Sequence, residues 1–280
     1  MYKTKYHSKD LTRFSFLITG GAGFIGSNLV EYLLKYGAGK VKALDDLSTG
    51  YYKNIKRFEK NSSFEFINGD IRDLDTCNKA CKDIDVVFHN AALGSVPRSI
   101  KDPISTNSVN IDGFLNMLVA ARDNKVERFI YAASSSTYGD SEKLPKVEEV
   151  IGKPLSPYAV TKLTNELYAG AFAKDLKTIG LRYFNIFGPK QDPKGAYAAV
   201  VPIFINAVIN NKSPEIFGDG RQTRDFTFIE NAVQGNMKAA FTENGQVFNQ
   251  VFNIATGKKT SVNQLFQYIC KQVNSLNLPG

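Results

Sequence analysis

A tyrosine and a lysine, Tyr158 and Lys162, stand four residues apart in the segment Tyr-Ala-Val-Thr-Lys. The preceding Ser156-Pro157 is typical of a helix start, so both side chains are predicted to share one helical face. A phenol with a pKa of ~10 is a poor base at neutral pH, but a neighbouring ammonium favours the phenolate. We therefore predict that Tyr158 is a general base and that Lys162 lowers its pKa. The alternative is an ordinary surface pair on an amphipathic helix.

A run of hydroxyl side chains, Ser134-Ser-Ser-Thr-Tyr-Gly139, follows the apolar segment at residues 129–133. If that segment is a central parallel strand, its carboxyl end opens into a ligand-binding cleft. A hydroxyl at this position can relay a proton between a reacting oxygen and the tyrosine. Ser134 is therefore the third predicted catalytic residue; the alternative is a serine-rich turn without a chemical role.

A glycine turn near the N-terminus indicates where a nucleotide would bind. An apolar run at residues 14–18 precedes Gly20, Gly23 and Gly26, and an amphipathic helical pattern follows. In a strand–turn–helix unit these glycines allow a tight turn, close approach of a pyrophosphate and close helix packing. Asp45, nineteen residues after Gly26, can bind the adenosine ribose hydroxyls and would repel the 2′-phosphate of NADP. The pattern predicts NAD; the alternative is a turn whose glycines serve only the backbone.

The elements that must position these groups alternate between strand and helix. Such alternation predicts an α/β fold: a Rossmann-type doubly wound parallel sheet, with a smaller α/β substrate-binding lobe at the C-terminus. We place the NAD-binding domain at residues 1–189 and the lobe at 190–280, after a short N-terminal arm at 1–12. Predicted strands are residues 14–18, 41–45, 64–67, 85–89, 129–133 and 178–183. Predicted helices are residues 25–36, 73–81, 156–173 and a long helix from 102. In the lobe we predict a loop at 191–195, helices at 200–209, 230–241 and 262–273, and strands at 224–229 and 251–254.

Composition excludes several other classes of protein. The chain has 280 residues, is 43% hydrophobic and 22% charged, and has only two histidines and three cysteines. These numbers exclude a His-rich metal site, and Cys77 and Cys81, one helical turn apart, lack a second pair to complete a tetrahedral site. No 18-residue apolar run or signal peptide is present, and the few cysteines favour a reducing, cytoplasmic location. The net charge of +8 favours an anionic nucleotide substrate rather than nucleic acid, for which no motif is present.

Together, these motifs resemble the extended short-chain dehydrogenase/reductase family. Within it, the chain is similar to NAD-dependent nucleotide-sugar epimerases, above all to bacterial UDP-N-acetylglucosamine 4-epimerases of surface-polysaccharide pathways. The run Arg182-Tyr-Phe-Asn-Ile-Phe-Gly-Pro189 belongs to the family pattern. The segments that carry the narrower resemblance are residues 91–99, 132–140, 154–162, 195–202 and 218–226.

The resemblance implies roles for further residues. Cofactor contacts are expected at Phe24, Ile25, Asp46, Leu47, Ser48, Thr49, Gly50, Asp70, Ile71, Asn90, Ala91, Ala92, Leu93, Gly94, Asn110, Tyr183 and Phe184, besides Gly20, Gly23, Gly26, Asp45, Tyr158 and Lys162. Substrate contacts are expected at Gly94, Ser95, Ser134, Ser135, Ser136, Tyr158, Asn185, Ala199, Val200, Gly218 and Arg224. Related enzymes commonly form homodimers, so we expect a dimer here. No metal and no membrane partner are expected.

The family resemblance implies reversible conversion of UDP-N-acetylglucosamine to UDP-N-acetylgalactosamine through a 4-keto sugar, with UDP-glucose and UDP-galactose as the other candidate pair. Related 4,6-dehydratases have an Asp-Glu pair where this chain has Ser135 and Ser136, so the extra acid and base for elimination are absent. Two alternatives remain: another nucleotide-sugar oxidoreductase that releases a keto product, and a non-catalytic NAD-binding protein. Family members continue for some tens of residues beyond Gly280, which leads us to expect a C-terminally truncated lobe and uncertain activity.

Overall fold

The structure, a computed structural model, describes residues 1–193 and 198–275. Its strands are β1 (Ser15–Thr19), β2 (Lys40–Asp45), β3 (Phe64–Asn68), β4 (Val86–His89), β5 (Arg128–Ser134), β6 (Lys177–Tyr183), β7 (Ile186–Phe187), β8 (Thr223–Arg224), β9 (Thr227–Phe228), β10 (Gln250–Ile254) and β11 (Thr260–Ser261). Its α-helices are α1 (Phe24–Lys35), α2 (Leu74–Cys81), α3 (Val96–Lys101), α4 (Pro103–Asn107), α5 (Gly113–Asp123), α6 (Pro157–Ala171), α7 (Val200–Ile209), α8 (Ile229–Phe241) and α9 (Val262–Ser275). Part of the predicted loop at 191–195 lies outside the described residues.

Seven of these strands form one parallel sheet in the spatial order β10-β6-β5-β4-β1-β2-β3. The order reverses direction beside β1, which is where a doubly wound sheet opens a crevice at its carboxyl edge. The predicted fold class is thus confirmed.

Both faces of the sheet are covered because side chains alternate along each strand. On one face, Phe16 and Ile18 join a core with Leu29 and Leu33 of α1. On the other face, Leu17 joins the core of α2, α5 and α6. A third, smaller core links α7 to α9 in the C-terminal lobe. Cys77 and Cys81 are buried and unpaired on α2, where they fill the second core.

The seventh strand of the sheet differs from the sequence-based prediction. The sequence pattern predicts residues 251–254 as a strand of the C-terminal lobe, but β10 pairs in parallel with β6 at the sheet edge. Helix α8, which precedes it, contributes Ile229 and Val233 to the core of the sheet. The chain therefore enters the lobe after Pro189 and returns to the central sheet before α9. The division at residue 190 stays a proposal about domains.

Two further predicted elements are divided in the structure. The long helix expected from residue 102 consists of α4, a π-helical turn at Ser108–Asp112 and α5, preceded by α3, which was not predicted. The strand expected at 224–229 is two short strands in separate small sheets, β8 with β11 and β9 with β7. The intervening Asp225 explains this division, because its carboxylate accepts backbone N–H groups of Thr256, Gly257 and Lys258.

The N-terminal arm packs against the sheet-facing helices. Tyr2 is fully buried, and its hydroxyl donates to Oδ1 of Asn28 on α1 at 2.7 Å. Its backbone N–H donates to Glu230 of α8 at 2.6 Å. The arm thus connects two helices on the same face of the sheet. No helix within 1–193 and 198–275 combines the length and the apolar character needed to cross a bilayer.

Candidate active site

The three predicted catalytic residues line one cleft of about 640 Å³ at the carboxyl edge of the sheet. Ser134 is the last residue of β5, and Tyr158 lies in the first turn of α6. That turn is fixed by Ser156, whose Oγ accepts the backbone N–H of Ala159 at 3.2 Å. Because the turn is capped, Tyr158 is held beside the end of β5.

The hydrogen bonds of these residues agree with a proton-transfer site. A hydrogen-bonding interaction of the Ser134 side chain with Tyr158 opposes an increase of the Tyr158 pKa. Ser136 donates to the same Ser134 Oγ from its backbone N–H at 3.1 Å and from its hydroxyl at 2.9 Å. With Ser136 supplying those donors, the Ser134 proton is free to point at the phenolic oxygen. Ser134 thus connects the serine turn to Tyr158.

The direction of the Tyr158 pKa shift differs from the one predicted from the sequence. Burial raises the pKa of Tyr158, while the Ser134 hydrogen bond opposes this rise. The expected decrease of that pKa by Lys162 is therefore not produced by the protein groups alone. Burial lowers the pKa of Lys162 to about 8, and the carboxylate of Glu166 opposes that decrease. Lys162 is nearly inaccessible, and its Nζ donates to the carbonyl oxygen of Ala132 at 2.8 Å.

The glycine turn forms the opposite end of the cleft. A Cβ at Gly26 would lie 2.1 Å from the carbonyl oxygen of Gly20, and Gly20 itself has a φ of +66°. Gly23 is the N-cap of α1 and places no side chain over the helix end. The first N–H groups of α1 therefore face the cleft unobstructed, which is the arrangement that binds a pyrophosphate.

Asp45, at the end of β2, supports this turn as well as lining the cleft. Its Oδ2 accepts the N–H of Ala22 and its Oδ1 that of Leu47, each at 2.9 Å. Burial raises the pKa of Asp45, and these backbone donors oppose the rise. A Cβ at Gly50 would lie 2.8 Å from the carboxylate, so glycine is needed where the loop folds over Asp45.

Most predicted cofactor contacts are brought together in this cleft. They are Gly20, Gly23, Phe24, Ile25, Gly26, Asp45, Asp46, Ser48, Thr49, Asp70, Ile71, Asn90, Ala91, Ala92, Leu93, Gly94, Tyr158, Lys162 and Tyr183. Oδ1 of Asn90 is buried and has no hydrogen-bond partner among the described residues. A buried unpaired acceptor that faces a cleft fits a ligand with a hydrogen-bond donor. The cleft therefore fits a dinucleotide with its pyrophosphate at the glycine turn and its adenosine near Asp45.

Four predicted cofactor contacts, Leu47, Gly50, Asn110 and Phe184, do not line the cleft. Leu47 and Gly50 lie behind Asp45. Asn110 holds the backbone of Leu93 through both of its amide atoms. Phe184 packs against Tyr138, with ring centroids 5.8 Å apart.

The predicted substrate contacts divide in the same way. Gly94, Ser134, Tyr158, Asn185 and Ala199 line the cleft, whereas Ser95, Ser135, Ser136, Val200, Gly218 and Arg224 do not. Ser95 caps α3 by accepting the N–H of Arg98 at 3.2 Å. Arg224 is exposed and donates to the carbonyl oxygen of Thr223. The roles assigned to these residues remain predictions.

Sequence reasoning missed eleven residues of the cleft wall. They are Leu44, Tyr51, Gly69, Arg98, Val109, Ala132, Ala133, Ile186, Gln191, Asp192 and Ala198. The positions of Leu44, Ala132 and Ala133 next to predicted site residues at strand ends were the available signal. Arg98 could not be placed because α3 was not predicted. The hydroxyl of Tyr51 donates to Asp192 at 2.5 Å, a contact between distant segments that no local pattern reveals.

Comparison with known proteins agrees with the cleft. A model of the NAD dependent epimerase/dehydratase family matches residues 16–255. A UDP-glucose 4-epimerase from Mycolicibacterium smegmatis is 38% identical over 94% of this chain and 84% of the relative. The structure of a UDP-N-acetylglucosamine 4-epimerase from Methanobrevibacter ruminantium M1, in complex with UDP-N-acetylmuramic acid, is 38% identical with a TM-score of 0.88, over 95% of this chain and 84% of that one.

A second solved structure, of UDP-glucose 4-epimerase with UDP-glucose from Thermotoga maritima, is 36% identical, with a TM-score of 0.85 over 95% of this chain and 84% of that one. Sequence identity of this extent, over nearly the whole fold, is shared only within a family. The glycine turn, the position of Ser134 and Tyr158 in one cleft, and the family match lead to one conclusion: the chain belongs to the NAD dependent epimerase/dehydratase family and uses NAD as its cofactor.

Proposed function

We propose that this enzyme interconverts UDP-N-acetylglucosamine and UDP-N-acetylgalactosamine by inverting carbon 4 of the sugar. The observation that carries the proposal is the placement of Ser134, Tyr158 and buried Lys162 in the same cleft as the glycine turn. That arrangement holds a proton acceptor where the sugar and the nicotinamide end of NAD would meet.

The chemistry assigned to the chain is movement of one proton. Tyr158, as phenolate, takes the proton of the sugar 4-hydroxyl, and Ser134 bridges the two oxygens. Bound NAD would supply a reversible hydride acceptor for carbon 4 of the sugar. Because burial raises the pKa of Tyr158, the phenolate requires positive charge nearby; Lys162 and the oxidised nicotinamide both carry it.

The residues around Ser134 favour epimerisation over elimination or decarboxylation. Ser135 and Ser136 occupy the positions where an additional acid and base would be needed. Ser136 is engaged with Ser134 Oγ. A hydroxyl has no carboxylate function to remove a carbon-bound proton, so the keto sugar has no competing reaction at these positions.

The preference for an N-acetylated sugar is supported by the sequence resemblance and by the structure from Methanobrevibacter ruminantium M1. UDP-glucose and UDP-galactose form the second candidate pair, supported by the relative from Mycolicibacterium smegmatis. Asn185 and Ala199, the proposed substrate contacts, line the cleft, and the net charge of +8 favours approach of an anionic nucleotide. We further propose that the enzyme works in the cytoplasm and supplies a precursor for surface polysaccharide.

A proton NMR time course of UDP-N-acetylglucosamine with the protein and trace NAD⁺ tests the proposal. Growth of the galacto anomeric signal without accumulation of NADH is the expected result. Stoichiometric NADH formation would indicate an oxidoreductase that releases a keto product. Turnover of UDP-glucose alone would reassign the sugar, and turnover of neither sugar by NAD-loaded protein would contradict the proposed epimerase activity.

A further inference from the structure

A buried ion pair lies directly behind the catalytic lysine. Arg182 of β6 donates to Glu166 of α6 through two parallel hydrogen bonds, Nε to Oε1 at 2.9 Å and Nη2 to Oε2 at 2.8 Å. The side chains are 4% and 7% exposed, respectively. Glu166 is four residues after Lys162, so its carboxylate lies on the same face of α6, one turn further along.

The remaining guanidinium nitrogen of Arg182 reaches a third segment. Nη1 donates to the hydroxyl of Tyr138 at 3.1 Å and to the carbonyl oxygen of Glu148 at 3.0 Å. Tyr138 belongs to the short 3₁₀ turn Ser135–Tyr138 that directly follows Ser134. One guanidinium therefore joins α6, which carries Lys162, to β6, which carries Tyr183, and to the turn that directly follows Ser134.

Stability alone is a weak explanation for such a pair. Desolvation of two charges offsets much of their attraction, and apolar replacements of similar volume are often no less stable. The described groups that face the interior around Lys162 are Tyr158 and Glu166 on α6, His89 on β4, Tyr131 on β5, and Arg182 and Tyr183 on β6. Burial and the charge of Lys162 both lower the pKa of His89, to about 3, so the imidazole is neutral. Glu166 is the one carboxylate among these groups.

We propose that Glu166 is a positioning residue that keeps Lys162 protonated in its buried site, and that Arg182 holds the Glu166 carboxylate in place for this task. The inference deepens the proposed function, because Lys162 is the protein's own cation beside Tyr158. Without the Glu166 charge, the surroundings of Lys162 favour the neutral amine, since burial disfavours the ammonium. A neutral Lys162 gives no support to a Tyr158 phenolate.

Two substitutions separate this role from a structural one. Glu166→Gln and Arg182→Met break the same ion pair. If the pair had only a structural role, the two variants should lose similar amounts of stability and activity. Their electrostatic effects on Lys162 are opposite, because Glu166→Gln removes the anion, whereas Arg182→Met leaves the anion and removes its competing cation. Glu166→Asp keeps the charge and is the rescue variant. The double variant Glu166→Gln/Arg182→Met removes both charges and avoids an unpaired buried ion if a single variant fails to fold.

The primary measurement is the titration of Lys162 by NMR of protein labelled with ¹³C at lysine Cε, with assignment from the signal missing in Lys162→Arg. This measurement does not depend on turnover of any sugar. We expect Lys162 to titrate about one pH unit lower in Glu166→Gln or in the double variant, and no lower than wild type in Arg182→Met and Glu166→Asp. The alkaline limb of kcat for the sugar substrate should move in the same directions.

An unchanged Lys162 titration in both Glu166→Gln and the double variant would overturn the inference. Shifted titrations with no epimerase activity in the wild type would instead overturn the proposed function alone.

Discussion

Asn110 binds both backbone polar groups of Leu93. Its Oδ1 accepts the Leu93 N–H at 2.8 Å, and its Nδ2 donates to the Leu93 carbonyl oxygen at 3.3 Å and to Thr161 Oγ1 at 3.1 Å. Thr161 lies between Tyr158 and Lys162 on α6. A single buried amide therefore connects the loop after β4, which lines the cleft, to α6, the helix that carries Tyr158 and Lys162. The π-helical turn that contains Asn110 is typical of helices distorted at functional sites.

Replacing Asn110 by Ala should loosen the loop that lines the cofactor cleft. The substitution leaves the Leu93 N–H and carbonyl group without these partners, and such a loss costs about 1–3 kcal/mol. We expect NAD affinity to fall about tenfold, measured by calorimetric titration of nucleotide-free protein. Asn124→Ala is the matched control, because Asn124 lies near the end of the same helical region and bonds Asn78 and Ala120 away from the cleft. Equal affinity of both variants for NAD would show that Asn110 does not position the loop.

The close approach of Gly26 to Gly20 predicts that a side chain at residue 26 would destabilise the protein. A methyl group at Gly26 would meet the Gly20 carbonyl oxygen at 2.1 Å, too close for backbone atoms to relieve by small shifts. We expect Gly26→Ala to lower the free energy of unfolding by about 3 kcal/mol and to abolish NAD binding.

Gly170→Ala on α6 is the control for this glycine, because nothing lies within 4 Å of its added Cβ. Alanine favours a helix over glycine by about 0.5–1 kcal/mol, so this variant should be slightly more stable than wild type. Urea unfolding of the three proteins measures both effects. A Gly26→Ala protein with wild-type stability would mean that the backbone of the turn can shift to admit the added Cβ without loss of stability.

Several parts of this site follow from sequence and others do not. The positions of Gly20, Gly23, Gly26, Ser134, Tyr158 and Lys162 in one cleft were predictable, because they depend on local spacing at strand and helix ends; their chemical roles stay predictions. The capping role of Ser156 was predictable for the same reason, and the structure confirms it.

Features of the fold and the site that depend on contacts between residues distant in sequence could not be predicted from local sequence patterns. The break in the helix at Ser108–Asp112 coincides with the Asn110 hydrogen bonds, and a Cβ at the following Gly113 would lie 2.6 Å from Ile71. The pairing of β10 with β6 is likewise a matter of topology, because a short strand with only three apolar residues, Val251, Phe252 and Ile254, suits either an edge strand or a lobe strand. The increased pKa of Tyr158 reflects burial, which no residue spacing measures.

Tyr158→Phe should retain the fold and NAD binding but lose most catalysis. Removing the hydroxyl removes the proton acceptor, and such groups contribute about 10²–10⁴-fold to rate. We therefore expect kcat for the sugar nucleotide to fall about 10³-fold with little change in bound NAD. Tyr168→Phe, on the same helix but outside the cleft, should keep wild-type kcat. A Tyr158→Phe enzyme with near-normal kcat would remove Tyr158 from the mechanism.

Buried His89 predicts a loss of stability in mild acid. Burial, with a smaller effect of Lys162, lowers its pKa to about 3, below the unfolded value of about 6.5. As the pH falls below 6.5, His89 becomes protonated in the unfolded chain but stays neutral in the folded protein. The free energy of unfolding therefore decreases until the pH reaches the pKa of His89 in the folded protein. Between pH 7 and pH 5 this loss amounts to about 2 kcal/mol.

Unfolding of His89→Asn in urea at both pH values tests this assignment. The variant should lose about 2 kcal/mol less than wild type over the same interval, whatever its stability at pH 7. His7, whose pKa burial lowers to about 4, should account for part of the remaining loss. If wild type and His89→Asn lose the same free energy between pH 7 and pH 5, His89 is not the acid-sensitive group.

The exposed apolar side chains of α4 and α6 support a homodimer. Val160 and Leu167 are seven residues apart on one face of α6 and are 48% and 68% exposed, and Ile104 of α4, which packs against α6, is 81% exposed. Large apolar side chains clustered on one face are typical of a protein interface. We expect the wild type to be a dimer in light scattering after gel filtration, and Leu167→Glu to shift it towards monomer because burial of an unpaired carboxylate is costly. Tyr268→Glu, at an equally exposed position on α9 in the C-terminal lobe, should leave the dimer intact. A monomeric wild type, or a Leu167→Glu protein as dimeric as wild type, would place the interface elsewhere or exclude it.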